Sequence, residues 1–299
     1  MHNSQKSTLE QAETDRLLAQ INQQLLAGNF ESNDSQQLQR LVAALADQRG
    51  IVRFGFVEAF GKIGKPMVPF LLESLANDPN PVVRRSCGKA LAKIADSQAI
   101  PVLIETLLND EDAVARSSAA GALAKMGTAA VTALLEVLAG NYPGTAKGHA
   151  AWAITFIGAE ALEQLYGAMN SESADVRIAV VSAIANIAQE QEQADQSLLE
   201  VLASAVVKDP AAVVRAEAAS ALGVLAPERS VPKLILLLED ASAEVRKAAA
   251  LALGKIGDSV ALPSLQVRQN DEVEEVRQVV ALAISLINQK QYEDDDSTE

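Results

Sequence analysis

The chain has 299 residues, 49% hydrophobic with only ten aromatic side chains, a single cysteine, and 25 Lys and Arg against 39 Asp and Glu, for a formal net charge of −14. One cysteine, Cys87, excludes an internal disulfide and a multi-cysteine metal site, and the negative charge disfavours a nucleic-acid backbone and an anionic membrane surface. No run of eighteen apolar residues occurs and the start, Met1-His2-Asn3-Ser4, lacks an apolar leader core, so the expectation is a cytoplasmic protein without membrane insertion whose partners are proteins or small ligands.

Residues 1–36 read as a polar arm with one amphipathic stretch, Leu17, Leu18, Ile21 and Leu25, the pattern of a capping helix. From residue 37 a V-R-x-x-A-x-A-L-like motif recurs. Aligned on its basic residue it gives Arg53, Arg84, Arg116, Lys147, Arg177, Arg215, Arg246 and Arg277, at spacings of 31, 32, 31, 30, 38, 31 and 31. A period of this length belongs to supersecondary units that bury their apolar faces only by stacking. The expected fold class is all-α, an α-solenoid of about eight two-helix repeats over residues 37–288. The 38-residue interval contains the polar stretch Gln189 to Gln196, read as an enlarged loop near 189–196 and a hinge. Residues 289–299 read as an acidic, disordered tail.

Six residues before each basic residue stands a short polar one: Asp47, Asp78, Asp110, Asn141, Ser171, Asp209, Asp240 and Asp271. Such side chains accept hydrogen bonds from free backbone N–H groups, which marks the turn into each second helix. Seven residues after it come Phe60, Leu91, Leu123, Ile154, Ile184, Leu222, Leu253 and Ile284, and ten after come Ile63, Ile94, Met126, Ile157, Ile187, Leu225, Ile256 and Ile287, a buried helical stripe. Pro69, Pro101, Pro232 and Pro263 announce first helices, while Gly64, Gly127, Gly158 and Gly257 close second helices. The basic ladder is expected to pair with the short acids and glue the stack. Cys87 shares its offset with Ala119, Ala150, Val180 and Ala249, so it is a structural thiol.

The fourth repeat departs from the others. At offsets +2, +5 and +9, where small or polar side chains dominate in other repeats, it carries His149, Trp152 and Phe156, preceded by Tyr142 and by Lys147 in place of Arg, and followed by Tyr166. The register predicts an outward-facing aromatic stripe. Trp and Tyr beside a basic group suit a partner hot spot or a planar conjugated ligand held by stacking and an ion pair. The competing expectation is that these rings fill a core gap. No Ser/His/Asp set, phosphate loop or metal cluster emerges, and no intrinsic cofactor is expected.

The recurring Asp, five residues, Arg and Ala-x-Ala-Leu-Gly, as in Asp209 to Gly223 and Asp240 to Gly254, resembles the phycobilisome-lyase class of HEAT-like repeats over roughly residues 36–288. The segment Lys147-Gly148-His149-Ala150-Ala151-Trp152 is similar, at Ala150, Ala151 and Trp152, to the Tyr-Tyr-Ala-Ala-Trp-Trp segment of cyanobacterial bilin lyases of the E/F type. That resemblance implies attachment of a phycobilin, as substrate, to a cysteine thiol of a phycobiliprotein subunit, often with a second HEAT-repeat lyase chain. It implies that Trp152 and Phe156 stack on the bilin while Lys147 or Arg116 pairs with a propionate. Relatives with the same repeats are noncatalytic adaptors that bind phycobiliproteins in phycobilisome degradation or assembly, or iron–sulfur assembly proteins, so that alternative stands beside the lyase.

Overall fold

A computed structural model of the chain describes residues 2–190 and 196–296. Its described residues are helical and joined by short turns, with no strand among them. Two compact units divide the chain, Met1–Ala161 and Leu162–Glu299.

The first unit begins with α1 (His2–Ala27) and continues as four helix pairs. These are α2 (Ser35–Ala43) with α3 (Gly50–Ile63), α4 (Val68–Asn77) with α5 (Pro81–Ile94), α6 (Ile100–Asn109) with α7 (Ala113–Lys125), and α8 (Thr128–Ala139) with α9 (Gly144–Ile157). The second unit holds α10 (Leu162–Ala168) with α11 (Ala174–Glu190), α12 (Gln196–Lys208) with α13 (Ala212–Leu225), α14 (Pro227–Leu237) with α15 (Ala243–Ile256), and α16 (Leu262–Arg268) with α17 (Glu274–Asp296). Each second helix carries one of the eight aligned basic residues. Within each unit consecutive second helices lie against one another, α3 on α5 on α7 on α9, and α11 on α13 on α15 on α17. This is an all-α, HEAT-type solenoid.

The repeat's apolar code explains the packing. Offset +3 is fully buried in every repeat, at Phe56, Cys87, Ala119, Ala150, Val180, Ala218, Ala249 and Val280. Small side chains there and nearby let helices approach closely. A Cβ on Gly223 would lie 2.7 Å from the Ala252 Cβ, and one on Gly254 would lie 2.6 Å from the Ala283 Cα. Burial also pushes the Cys87 thiol above its ordinary pKa, with a minor contribution from Asp78, which keeps it protonated and inert. The four closing glycines all have positive φ, 62° to 81°, a region costly for residues with a Cβ.

The basic ladder is a set of inter-repeat clasps. Arg84 holds Asp110, Arg177 holds Asp209, Arg215 holds Asp240 and Arg246 holds Asp271, each through Nε and a terminal nitrogen at 2.7–2.9 Å. The remaining nitrogen, Nη1, donates to backbone carbonyls of its own repeat's turn, at Asp78, Ser171, Asp209 and Asp240 respectively. Each aspartate also accepts the N–H of the residue two positions on, as at Asp112 and Ser242. One guanidinium thus fixes two turns, and the short acid governs the turn ahead of the second helix, as its residue type implied.

Several expectations need correction. The polar N-terminal arm is largely helix α1. Its Ile21 is fully buried, and its Leu18 enters space that a Cβ on Gly55 of α3 would occupy. Pro232 does not open α14, because Pro227 already takes the first turn and Pro232 falls inside the helix. The acidic stretch from residue 289 continues α17 as far as Asp296 instead of forming a disordered tail, because neither Pro nor Gly interrupts the chain from Glu274 onward. The enlarged loop expected near 189–196 falls mostly on residues 191–195, outside the described residues. Offset +2 is less free than the pattern suggested, since Ser86 and Ala179 there are buried.

Candidate functional site

Helix α9 positions the aromatic residues by the same rule that builds the core. Ala146, Ala150, Ala153 and Ile154 face inward and are buried, so the side chains between them, at 149, 152 and 156, turn away from that core. Trp152 is 49% exposed and Phe156 54% exposed, which rules out the core-filling alternative. Their rings are four residues apart, one helical turn, and stack with centroids 5.4 Å apart and planes tilted by 27°. The pair forms an apolar shelf on the surface of the first unit.

A residue from the preceding repeat completes it. Lys125, the last residue of α7, places its Nζ 5.0 Å from the Phe156 ring centroid. Such a contact contributes about 0.5–1 kcal/mol at an exposed site. Lys62 and Lys93 occupy the same offset on α3 and α5, and Lys93 is tied to Glu58 at 2.8 Å. Lys125 makes no ion pair among the described residues.

The other expected site residues are less closely drawn in. The His149 Nε2 lies 3.4 Å from the Ser117 Oγ of α7, and its Nδ1 is buried without a hydrogen-bond partner among the described residues. Tyr142, 43% exposed, packs its ring against Gly140, where a Cβ would come within 2.5 Å of it. Arg116 makes no clasp: the next repeat offers Asn141 where an aspartate would stand, and among the described residues the Arg116 Nη1 donates to the carbonyls of Asp110 and Glu111, at 2.6 and 3.2 Å. Lys147 is half-buried and already engaged. Tyr166 belongs to the second unit, where its hydroxyl is 3.4 Å from the Ser197 Oγ. Sequence reasoning therefore found the shelf and missed Lys125. The signal was available in the alignment, since Lys125 and Phe156 hold the same offset in adjacent repeats.

Two grooves lie elsewhere. One of about 920 Å³ opens between α10 and α12, with Arg177 and Asp209 in its wall, and one of about 450 Å³ lies between α4 and α6, with Arg84 and Asp110 in its wall. Both are the same recurring gap between consecutive first helices, and their arginines are already paired. No group of three or more His, Cys, Asp or Glu capable of holding a metal occurs among the described residues, and no helix there is long and apolar enough to cross a membrane.

The HEAT-repeat family matches residues 68–155 and 199–285, which include the clasps of Arg84, Arg215 and Arg246 and most of α9. The chain is 41% identical over 217 residues, 72% of its own length and 72% of the relative's, to the bilin biosynthesis protein MpeU of Synechococcus sp. (strain WH8020). The chain belongs to the phycobilisome-lyase-type family of HEAT-repeat proteins. Among solved structures of such helical repeats, the complex of CpcE and CpcF of phycocyanin lyase from Nostoc sp. PCC7120 is 26% identical, covers 52% of this chain and 98% of that one, and has a TM-score of 0.45. The karyopherin Kap121p covers 94% of this chain and 38% of its own at 16% identity, with a TM-score of 0.58, a likeness of fold alone. Within this phycobilisome-lyase-type chain the repeats divide their labour. Arg84, Arg177, Arg215 and Arg246 supply clasps, and the fourth repeat carries the rings.

Proposed function

We propose that the chain is a phycobilin lyase or lyase subunit that holds an open-chain tetrapyrrole against Trp152 and Phe156 and presents it to a cysteine of a phycobiliprotein subunit. The observation that carries this reading is the exposed, stacked pair of rings, on a row where the other repeats carry no aromatic side chain. A flat conjugated ligand gains most from such a surface, because stacking rewards planarity and the rings are already parallel to within 27°. The name of the relative MpeU, a bilin biosynthesis protein, supports the ligand class.

Thioether attachment suits a scaffold. The acceptor's S–H adds across a carbon–carbon double bond of the bilin: a C–S bond forms, the proton goes to carbon, nothing leaves, and no oxidant or reductant is consumed. The nucleophile belongs to the acceptor, so Cys87, buried and protonated, has no part in it. What this chain supplies is position. Holding thiol and double bond in reacting geometry converts an encounter of two molecules into a step within one complex. The reaction would take place in the cytoplasm, and a second HEAT-repeat lyase chain would complete the surface that receives the acceptor.

The test is to mix the purified protein with phycocyanobilin or phycoerythrobilin and record the visible absorption, with Trp152→Ala as control. A shifted, narrowed band lost in the variant is the expected result. Absence of any spectral change with either bilin, together with binding to phycobiliprotein already carrying its chromophore, would replace the lyase by an adaptor.

A further inference from the structure

Several glycines inside the second helices have a visible packing purpose, whereas at Gly121 and Gly148 a Cβ would meet nothing within 4 Å. A Cβ on Gly88 would lie 3.2 Å from Ser118, and those on Gly223 and Gly254 would press on Ala252 and Ala283, so each of these glycines lets the next helix come close. Gly121 lies inside α7, and a Cβ there would meet nothing within 4 Å. Glycine weakens a helix relative to alanine, and here no protein group takes up the space it leaves.

The repeat register says what faces that space. Gly121 stands five residues after Arg116 and Lys125 nine after, as Trp152 and Phe156 stand five and nine after Lys147. Gly121 and Lys125 lie one turn apart on α7, as Trp152 and Phe156 do on α9, and the 5.0 Å contact between Lys125 and Phe156 sets these two faces side by side. Gly121 therefore leaves an open recess one turn before Lys125, on the face of α7 that meets the aromatic shelf. Resting on the reading above, we propose that this recess takes the edge of the tetrapyrrole and that Lys125 pairs with one of its propionate carboxylates. Lys125 takes the role the sequence resemblance gave to Lys147 or Arg116. Its ammonium has three donors, and the ring face accounts for only one direction, leaving the others for a carboxylate. Charge also favours it, since a dianionic ligand approaching a chain of net charge −14 needs a local cation not already held by a carboxylate.

The experiment is a bilin titration followed by visible absorption, using phycocyanobilin as the free acid and as its dimethyl ester. The proteins are the unaltered chain, Lys125→Gln, Gly121→Ala, Gly121→Leu and Trp152→Ala, each checked by thermal melting. Lys125→Gln is expected to weaken the free acid about tenfold and leave the ester unchanged. Gly121→Leu is expected to keep or raise the melting temperature while weakening both ligands at least tenfold, with Gly121→Ala between; if the leucine variant misfolds, the alanine variant decides. Equal affinity of acid and ester for the unaltered chain would overturn the anchor, and undiminished binding by Gly121→Leu would overturn the recess. In both cases loss of binding in Trp152→Ala would leave the stacking reading standing. No binding of either ligand to the unaltered chain would overturn the stacking reading and this proposal together.

Discussion

Arg246 grips Asp271 with two parallel hydrogen bonds of 2.8 Å, and both side chains are almost wholly removed from water. A buried charge that loses its partner keeps its desolvation penalty, which costs about 3–5 kcal/mol. Asp271→Ala is therefore expected to destabilise the second unit by that order, measured by urea unfolding. Replacing both members by apolar residues of similar volume should cost much less. An equal loss in both variants would show that packing, and not the stranded guanidinium, is responsible.

The clasps also set the acid response. The hydrogen bond from Arg215 holds the Asp240 carboxyl below its ordinary pKa despite burial, and Arg246 does the same for Asp271. Because the folded values lie below the unfolded one, the unfolded chain binds more protons just below pH about 4. The stabilisation is thus complete above that pH and drains away as pH falls through the folded values. Melting temperatures should be flat from about pH 5 to 7 and drop steeply below about 4. A variant carrying Arg215→Met and Arg246→Met should start lower and fall less steeply.

Asn141 marks one gap in the ladder; Arg53, which donates to the Asp47 carbonyl, makes no carboxylate clasp among the described residues either. Asn141→Asp gives Arg116 the carboxylate that Arg84, Arg177, Arg215 and Arg246 hold, and is expected to stabilise the first unit by about 1 kcal/mol, as a partly exposed charge-assisted pair does. Denaturant melts with and without a second change, Arg116→Met, isolate the term. A gain that survives removal of Arg116 would mean the new aspartate acts on its own turn.

The aromatic residues divide by exposure. Phe60 is fully buried against Phe56, with ring centroids 6.1 Å apart, so Phe60→Ala should cost about 3–5 kcal/mol. Trp152→Ala, on a half-exposed ring, should cost no more than about 1 kcal/mol and leave the helical circular dichroism unchanged. Comparable losses in the two variants would return Trp152 to the core.

Gly254→Ala should destabilise the protein although alanine is the better helix former, because its Cβ meets the Ala283 backbone and no side chain can swing aside. Overpacking of this kind costs about 1–3 kcal/mol. Unchanged stability would mean that α15 and α17 can slide apart freely.

Most of the fold was legible because repetition turns one chain into eight readings of the same unit. A burial pattern that is ambiguous in Val52 to Ile63 becomes firm when Phe56 and Phe60 align with Cys87 and Leu91 and again with Ala119 and Leu123. What stayed hidden needed a view across repeats. Lys125 looked like a solvated end of α7, and only its position over the ring of Phe156 gives it meaning. The resemblance assigns Arg116 or Lys147 to the propionate, but the turn carbonyls of Asp110 and Glu111 occupy the first, and the second is already engaged. The extent of α17 was missed because acidity was read as disorder, whereas helix continuity depends on the lack of breakers.

On α9 the inward set, Ala150, Ala153 and Ile154, and the outward set, His149, Trp152 and Phe156, interleave along one helix yet face different surroundings. The letters that fold this repeat and the letters that give it chemistry can therefore change independently. A repeat can be rewritten for a new ligand while its neighbours continue to stack as before. The same trio moved to the matching offsets of α5 or α7 would carry its shelf with it, making the site a movable property of a row and not of a place.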